Sequence, residues 1–266
     1  MSTINAKDVM ALRNKTGLAM MECKKALLEA DGDPERAEDL LRKKLKGKME
    51  TRSDRAAGEG RVDVAVTDGK AAILEIRAET DFTAKNDKFI SATSLIAGAA
   101  LSGGAGKFEP NDDGKAAIDD LRITTGENIS FARGEVLEGG SFGSYVHFDG
   151  KTAVLIQTSN AADAETLKKV CMHIAAAFPP PAGVTSDDIP AEVVERERKF
   201  RIEQAMESGK PQEIAEKMVE GGMRKFFAEI ALVEQPFVMD PSKTVKDVLG
   251  DAKVTTFRRW KVGEEA

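Results

Sequence analysis

The residues best equipped for chemistry are few and far apart. His147 and His173 are the only histidines, and Cys23 and Cys171 the only cysteines. Ser144 stands three residues before His147 on a strand-like segment, so a nucleophile and a base are both within reach. A hydrolytic site also needs a group to orient the base and donors for an oxyanion, and no third member is evident. Four scattered His and Cys side chains do not have the paired spacing of a zinc site. The stretch "GGAGKF" (103–108) hints at a phosphate loop. That motif requires a glycine five places before its Gly-Lys and a Ser or Thr after it. Those positions hold Leu101 and Phe108, so a plain loop is expected. The expectation is a protein that works by binding, with no catalytic residues, metal ligands or cofactor.

Two features suit a binding role. "ETDFTAKND" (79–87) sets an acid beside an aromatic, Asp81-Phe82, between an apolar strand and a helix. Either Asp81 caps a short helix while Phe82 fills the core, or the pair forms a tip that enters a partner. Spacing alone favours the first. Met20 and Met21 are consecutive on a helix that turns about 100° per residue, so one of them is expected to face outward. Methionine adapts well to a partner surface. His173 lies on an apolar helix face and reads as a hydrogen-bonded core histidine. His147, next to a turn, reads as a surface residue. The basic run "RKKLKGK" (42–48) suits a helix C-terminus, where cations face the negative end of the dipole.

Positioning these residues takes an α+β chain. Residues 1–48 carry three short helical patterns. Gly17 stops the first, Gly32 ends the second, and Asp33-Pro34 opens the third as N-cap and first helical residue. Residues 49–61 are polar and Gly/Ala-rich, and read as a linker. An internal repeat follows. "TDGKAAILEI" (67–76) matches "FDGKTAVLIQ" (148–157) at an offset of 81, and a helical pattern follows each copy. The core is therefore expected to be a duplicated strand–turn–strand–helix unit, with "SGGAGKFEPNDDG" (102–114) as a loop. Residues 191–207 are helical with nine charges in seventeen positions. "SGKP" (208–211) turns the chain, and residues 212–232 return as a helix. Two helices joined by so short a turn lie antiparallel, and their charge suggests that they project.

The chain has 266 residues and a net charge of −6. Neutralising phosphates needs a basic face, so direct nucleic-acid binding is not expected. Two isolated thiols fit a reducing compartment, and the first residues carry no signal-like core. No apolar run approaches the ~18 residues of a membrane span. A cytoplasmic location with no membrane contact is expected, and self-association is left open.

Taken in order, several stretches resemble one family, bacterial translation elongation factor Ts. They are "LRNKTGLAMMECKKALLEADGD" (12–33), "ETDFTAKND" (79–87), "GENI" (126–129), "GSYVH" (143–147), "MHIAA" (172–176), "SGKPQEIAEKMVEG" (208–221) and "QPFVMDPSKTV" (235–245). The resemblance implies a guanine nucleotide exchange factor whose partner is elongation factor Tu, in its GDP-bound and nucleotide-free forms. It also implies a ubiquitin-associated-like N-terminal unit (1–48), a linker (49–61), and core repeats at 62–140 and 141–266. The second repeat would carry a protruding antiparallel coiled-coil hairpin at about 191–232. Carried over residue by residue, Thr80, Asp81, Phe82 and Thr83 would enter beside the nucleotide site of the GTPase and displace Mg²⁺. Thr83 stands where the family usually has valine. Met20, Met21 and Lys24 would touch the GTPase domain, and Gly126 and His147 would belong to the same interface.

Overall fold

The computed structural model describes residues 4–50, 54–207, 209 and 211–264. The chain is α+β. Its first three helices are α1 (Ala6–Thr16), α2 (Met20–Glu29) and α3 (Pro34–Glu50). Local chemistry delimits α1 and the start of α3. The Asn5 side chain accepts from Asp8 N–H, and Gly17 closes α1 at φ +73°, in the left-handed region where a Cβ is costly. Asp33 Oδ1 accepts from the N–H groups of Glu35 and Arg36, with Pro34 at the first helical position. The three helices share a small core of Val9, Leu12, Leu18, Cys23, Ala26, Leu27, Ala30, Ala37 and Leu41. The side chains of the basic run beyond Lys44 lie outside the described residues. The expected linker is shorter than residues 49–61, because α3 reaches Glu50 and the first strand begins at Glu59.

The core is built on a four-stranded and a three-stranded sheet, with a small two-stranded pair beside them. Strands β1 (Glu59–Thr67) and β2 (Lys70–Ala78) pair antiparallel around Asp68-Gly69. Helix α4 (Asp81–Ala84) and helix α5 (Asp87–Ala100) follow. Next come the two-residue strand β3 (Gly106–Lys107), helix α6 (Asp112–Thr125) and strand β4 (Ser130–Glu138). The order is β1-β2-β4-β3. The stretch 102–114 is therefore not wholly a loop. Gly106 and Lys107 pair with β4, an edge contact that no local pattern announces. Asn111 Oδ1 accepts from Gly114 N–H and starts α6. Strands β5 (Ser141–Val146) and β6 (Thr152–Thr158) repeat the hairpin, and α7 (Ala164–Ala176) repeats the following helix. Helices α8 (Ala191–Glu207) and α9 (Gln212–Ile230) come next, then β7 (Pro236–Phe237), β8 (Asp240–Thr244), α10 (Val245–Leu249) and β9 (Val254–Lys261). The second sheet runs β5-β6-β9.

Both faces of β2 are buried, as its continuous apolar run requires. Leu74 and Ile76 pack on α5 and α6 with Phe89, Ile96, Ile118 and Leu121. Ala71 and Ile73, with Val62, meet Ala153 and Leu155 of the second sheet. Beyond that apolar contact the sheets are joined by charge. Arg258 of β9 grips Glu135 of β4 through two 2.7 Å bonds, and Gly263 N–H, just after β9, reaches Glu75 of β2, a fully buried carboxylate that also accepts from Arg77 Nε and Arg133 Nε within its own sheet. Helices α8 and α9 lie against each other through Ala205, Val219 and Met223. Ile214 and Met218 of α9 are exposed, and the turn residues 208 and 210 lie outside the described residues.

His173 is a core residue, as its helical phase suggests. Its Nδ1 accepts from Val238 N–H at 3.2 Å, so Nε2 carries the proton and donates to Gln235 Oε1 at 3.0 Å. Burial holds its pKa below the ordinary 6.5, partly offset by Gln235. The folded chain thus binds fewer protons than the unfolded chain just below that value. Stability from this group is complete above about pH 6.5 and is lost as pH falls toward the folded pKa. The expected result is a thermal midpoint that declines from pH 7.5 to 5.5. In His173→Asn that decline should flatten while the midpoint at pH 7.5 drops, and calorimetry across this range checks it.

Candidate partner-binding site

The segment after β2 is held by residues that follow α6. Gly126 ends α6 at φ +73° and returns its N–H to Arg122 carbonyl. That reversal delivers Glu127 and Asn128 alongside Glu79 and Thr80. Glu127 Oε1 accepts from the hydroxyls of Thr80 and Thr83, each at 2.7 Å, and its Oε2 accepts from Thr80 N–H at 3.1 Å. Glu79 Oε1 accepts from Asn128 N–H at 2.7 Å. The β2–β4 ladder reaches Arg77 and Ser130, so these contacts prolong it with side chains after backbone pairing stops. Bonds to an ionised acceptor are stronger than neutral ones, about 1.5–3 kcal/mol each against about 1 kcal/mol.

This bracket settles the conformation of residues 80–83. Thr80 is the N-cap of α4, its Oγ1 accepting from Thr83 N–H while its own proton goes to Glu127. Asp81 is not the cap. It is the first helical residue, and its carboxylate takes Lys85 Nζ at 2.7 Å. That bond, ahead of every other influence, holds its pKa below the usual carboxylate range, so Asp81 is an anion at neutral pH. Phe82 does not fill the core either; it is 84 % exposed. Thr83 and Ala84 face inward and are buried. Thr83 is a fastening point, because its hydroxyl, which a valine lacks, reaches Glu127.

Around this projection lie other expected residues. His147 is half-buried in the turn between β5 and β6, its Nδ1 2.8 Å from Tyr145 Oη. It has no contact with Ser144 that would make a nucleophile–base pair. The turn lies beside the Asp81 region: Gly150 carbonyl accepts from Val62 N–H at 2.9 Å, and Lys151 Nζ lies 2.6 Å from Glu59. Lys151 and Asp81 also feel each other's charge. Met20 and Met21 both face solvent, because α2 buries Cys23, Ala26 and Leu27 instead. Lys24 is exposed as well. The helices meet the core at the end of α6, where Ile123 packs among them and Thr124 lies against Gly17. The N-terminus of α2 and Gly126 are thus brought toward one region. Among the described residues no three His, Cys, Asp or Glu converge on a point that would hold a metal ion, and no helix is long and apolar enough to cross a membrane.

The comparisons with known proteins bear on the same segment. A family model described as elongation factor TS matches residues 79–264, starting at the residue that opens the bracket. Elongation factor Ts of Photobacterium profundum is 45 % identical over 270 aligned positions, covering 99 % of this chain and 93 % of the relative. The chain belongs to the elongation factor Ts family. Elongation factor Ts of Sodalis glossinidius is 46 % identical and that of Photorhabdus laumondii 45 %, each over 272 positions and 99 % of this chain, covering 93 % and 94 % of the relative. The family's members are guanine nucleotide exchange factors for elongation factor Tu.

Sequence reasoning missed Glu127, although it sits inside the "GENI" stretch. The one available signal was its place after a glycine at a helix end. Replacing Glu127 by Ala leaves two hydroxyls and one N–H seeking water, and a cost of about 1–3 kcal/mol is expected. Urea denaturation of Glu127→Ala against wild type measures it, and the Thr83→Val change, which removes one of the three bonds, is expected to cost less.

Proposed function

We infer that the chain is a guanine nucleotide exchange factor for elongation factor Tu in translation elongation, and that Thr80–Thr83 is its working segment. The carrying observation is Phe82, a large apolar side chain held 84 % exposed on a helix whose base is clamped. An unconstrained chain would fold such a residue inward; burying it is worth about 1.5–3 kcal/mol. Here the bracket reserves that apolar surface for a partner.

An exchange factor needs no acid, base or cofactor. It must bind the nucleotide-free GTPase more tightly than the GDP-bound form, and by linkage that difference is the weakening of GDP binding. Accelerating release about 10³–10⁵-fold means lowering its barrier by about 4–7 kcal/mol. In this reading Phe82 enters beside the GTPase's metal and phosphate site and displaces its Mg²⁺, removing the main counter-charge of the phosphates. Asp81, an anion beside it, adds negative charge where the phosphates already carry it. Met20, Met21, Lys24, Gly126 and His147 supply further contact on the same side. We also propose the division into units at 1–48, 62–140 and 141–266, with the hairpin at about 191–232 as an insertion in the last. The action is cytoplasmic, with no direct nucleic-acid contact, which the net charge of −6 supports. A docking scaffold would bind the GTPase without speeding release, and family membership argues against it.

Release of a fluorescent GDP from purified elongation factor Tu is the test. Wild type is expected to accelerate release strongly. Phe82→Ala should lower the maximal rate about 30-fold, the size of a typical aromatic hot spot. Asp81→Ala should have a smaller effect, because its carboxylate is already paired with Lys85. Wild-type rates from both folded variants would rule out the wedge.

A further inference from the structure

The two repeats differ in which ends carry aromatic side chains. At the offset of 81, Phe148 of the second copy corresponds to Thr67 of the first, and Phe82 of the first corresponds to Asp163 of the second. The turns themselves are alike. Gly69 and Gly150 occupy the same position with φ +74° and +70°. The first copy closes this turn with Thr67, so the fold does not require an aromatic there. Yet Phe148 is 90 % exposed.

The hairpins run in opposite directions, and this decides where the aromatics fall. The turn of the second hairpin is fastened to the start of β1 by the Val62–Gly150 bond, on the side where β2 leads into α4. The turn of the first is fastened at the other end, where Gly139 N–H donates to Gly69 carbonyl and Gln157 Nε2 reaches the carbonyls of Glu138 and Gly139. One end of the double sheet thus carries both Phe82 and Phe148. The opposite end carries Thr67 and Asp163, where Asp163 caps α7 through Thr166 N–H.

Phe148 is also held firmly. His147 N–H donates to Thr152 carbonyl and Gly150 N–H to His147 carbonyl, both at 2.8 Å, and Asp149 Oδ1 accepts from Lys151 N–H at 2.9 Å. The His147 ring lies 4.6 Å from the Phe148 ring and is itself tied to Tyr145. A rigid, exposed aromatic loses little conformational entropy on being covered, and aromatics are frequent hot spots.

We propose that Phe148 is a second aromatic contact with the same GTPase, an anchor that adds affinity beside the Phe82 wedge. This rests on the exchange reading above. The occupant follows from continuity: a partner that covers Phe82 meets the neighbouring turn, whose Lys151 already senses the charge of Asp81. The roles differ because Phe82 sits on the segment assigned to the nucleotide site, whereas Phe148 projects from a structural turn.

The fluorescent-GDP release assay, run as a titration of exchange factor, separates them. Phe148→Thr takes the residue that the first copy uses, so the turn should form and the thermal midpoint should match wild type; Phe148→Ala provides a second variant. Both are expected to raise the half-saturating concentration about ten-fold, more than they lower the plateau rate, with Phe148→Leu restoring part of the loss. Thr67→Ala, at the opposite end, should track wild type in both quantities. If wild type exchanges and both Phe148 variants stay within about two-fold of its half-saturation, the anchor is overturned and the exchange reading stands. If wild type does not accelerate release at all, the exchange reading falls and the anchor falls with it.

Discussion

Glu127 is one carboxylate with three donors upon it, and the geometry of residues 80–83 follows from that arrangement. Two threonine hydroxyls and one N–H converge on it from residues 80 and 83. They fix the first turn of α4, and a helix of four residues has little stability of its own. With Thr80 and Thr83 turned toward Glu127, Phe82 must point away from it. The exposure of Phe82 is therefore a consequence of a satisfied polar cluster on the opposite side of the same turn. Glu127 in turn depends on Gly126, whose positive φ ends α6 and reverses the chain at the point where it meets β2.

The rest of the fold gives this bracket a firm base. β2 is the central strand of the first sheet, buried on both faces and paired on both edges. The charged joint between the sheets, in which Arg258 of β9 holds Glu135 of β4, sets the second repeat against the first. Duplication then yields two ends of similar construction. Substitution at a few positions has made them different, with aromatics at one end and a threonine and a capping aspartate at the other. Two exposed aromatics stand on a scaffold, each at a position where the other copy folds without one.

Much of this was legible in the sequence. The repeated Asp-Gly-Lys turns predicted both hairpins, and Asp33-Pro34 marked the start of α3. Helical periodicity bounded α8 and α9 to within a few residues and placed a helix after each hairpin. Contacts between distant residues were harder to read. Thr80 and Glu127 are 47 residues apart in sequence and interact only because β2 and β4 are neighbours. The start of α6 reads as loop because Asn111 to Gly114, which cap the helix, suit a turn equally well. Phe82 shows the limit most clearly. Local spacing favoured a core position, and only the resemblance across the whole chain argued otherwise. No periodicity applies to a helix of one turn, so its facing is decided by the partner of Thr80 and Thr83. The departure from valine at residue 83 carries information here, since the extra hydroxyl is used.

Everything central rests on Phe82 being exposed in the free protein and covered by the GTPase in the complex. Hydroxyl-radical footprinting read by mass spectrometry reports side-chain exposure residue by residue. Applied to the free chain and to its complex with nucleotide-free elongation factor Tu, it should show Phe82 oxidised readily when free and strongly protected when bound. Equal oxidation of Phe82 in both states, in a complex otherwise protected at its interface, would contradict the wedge.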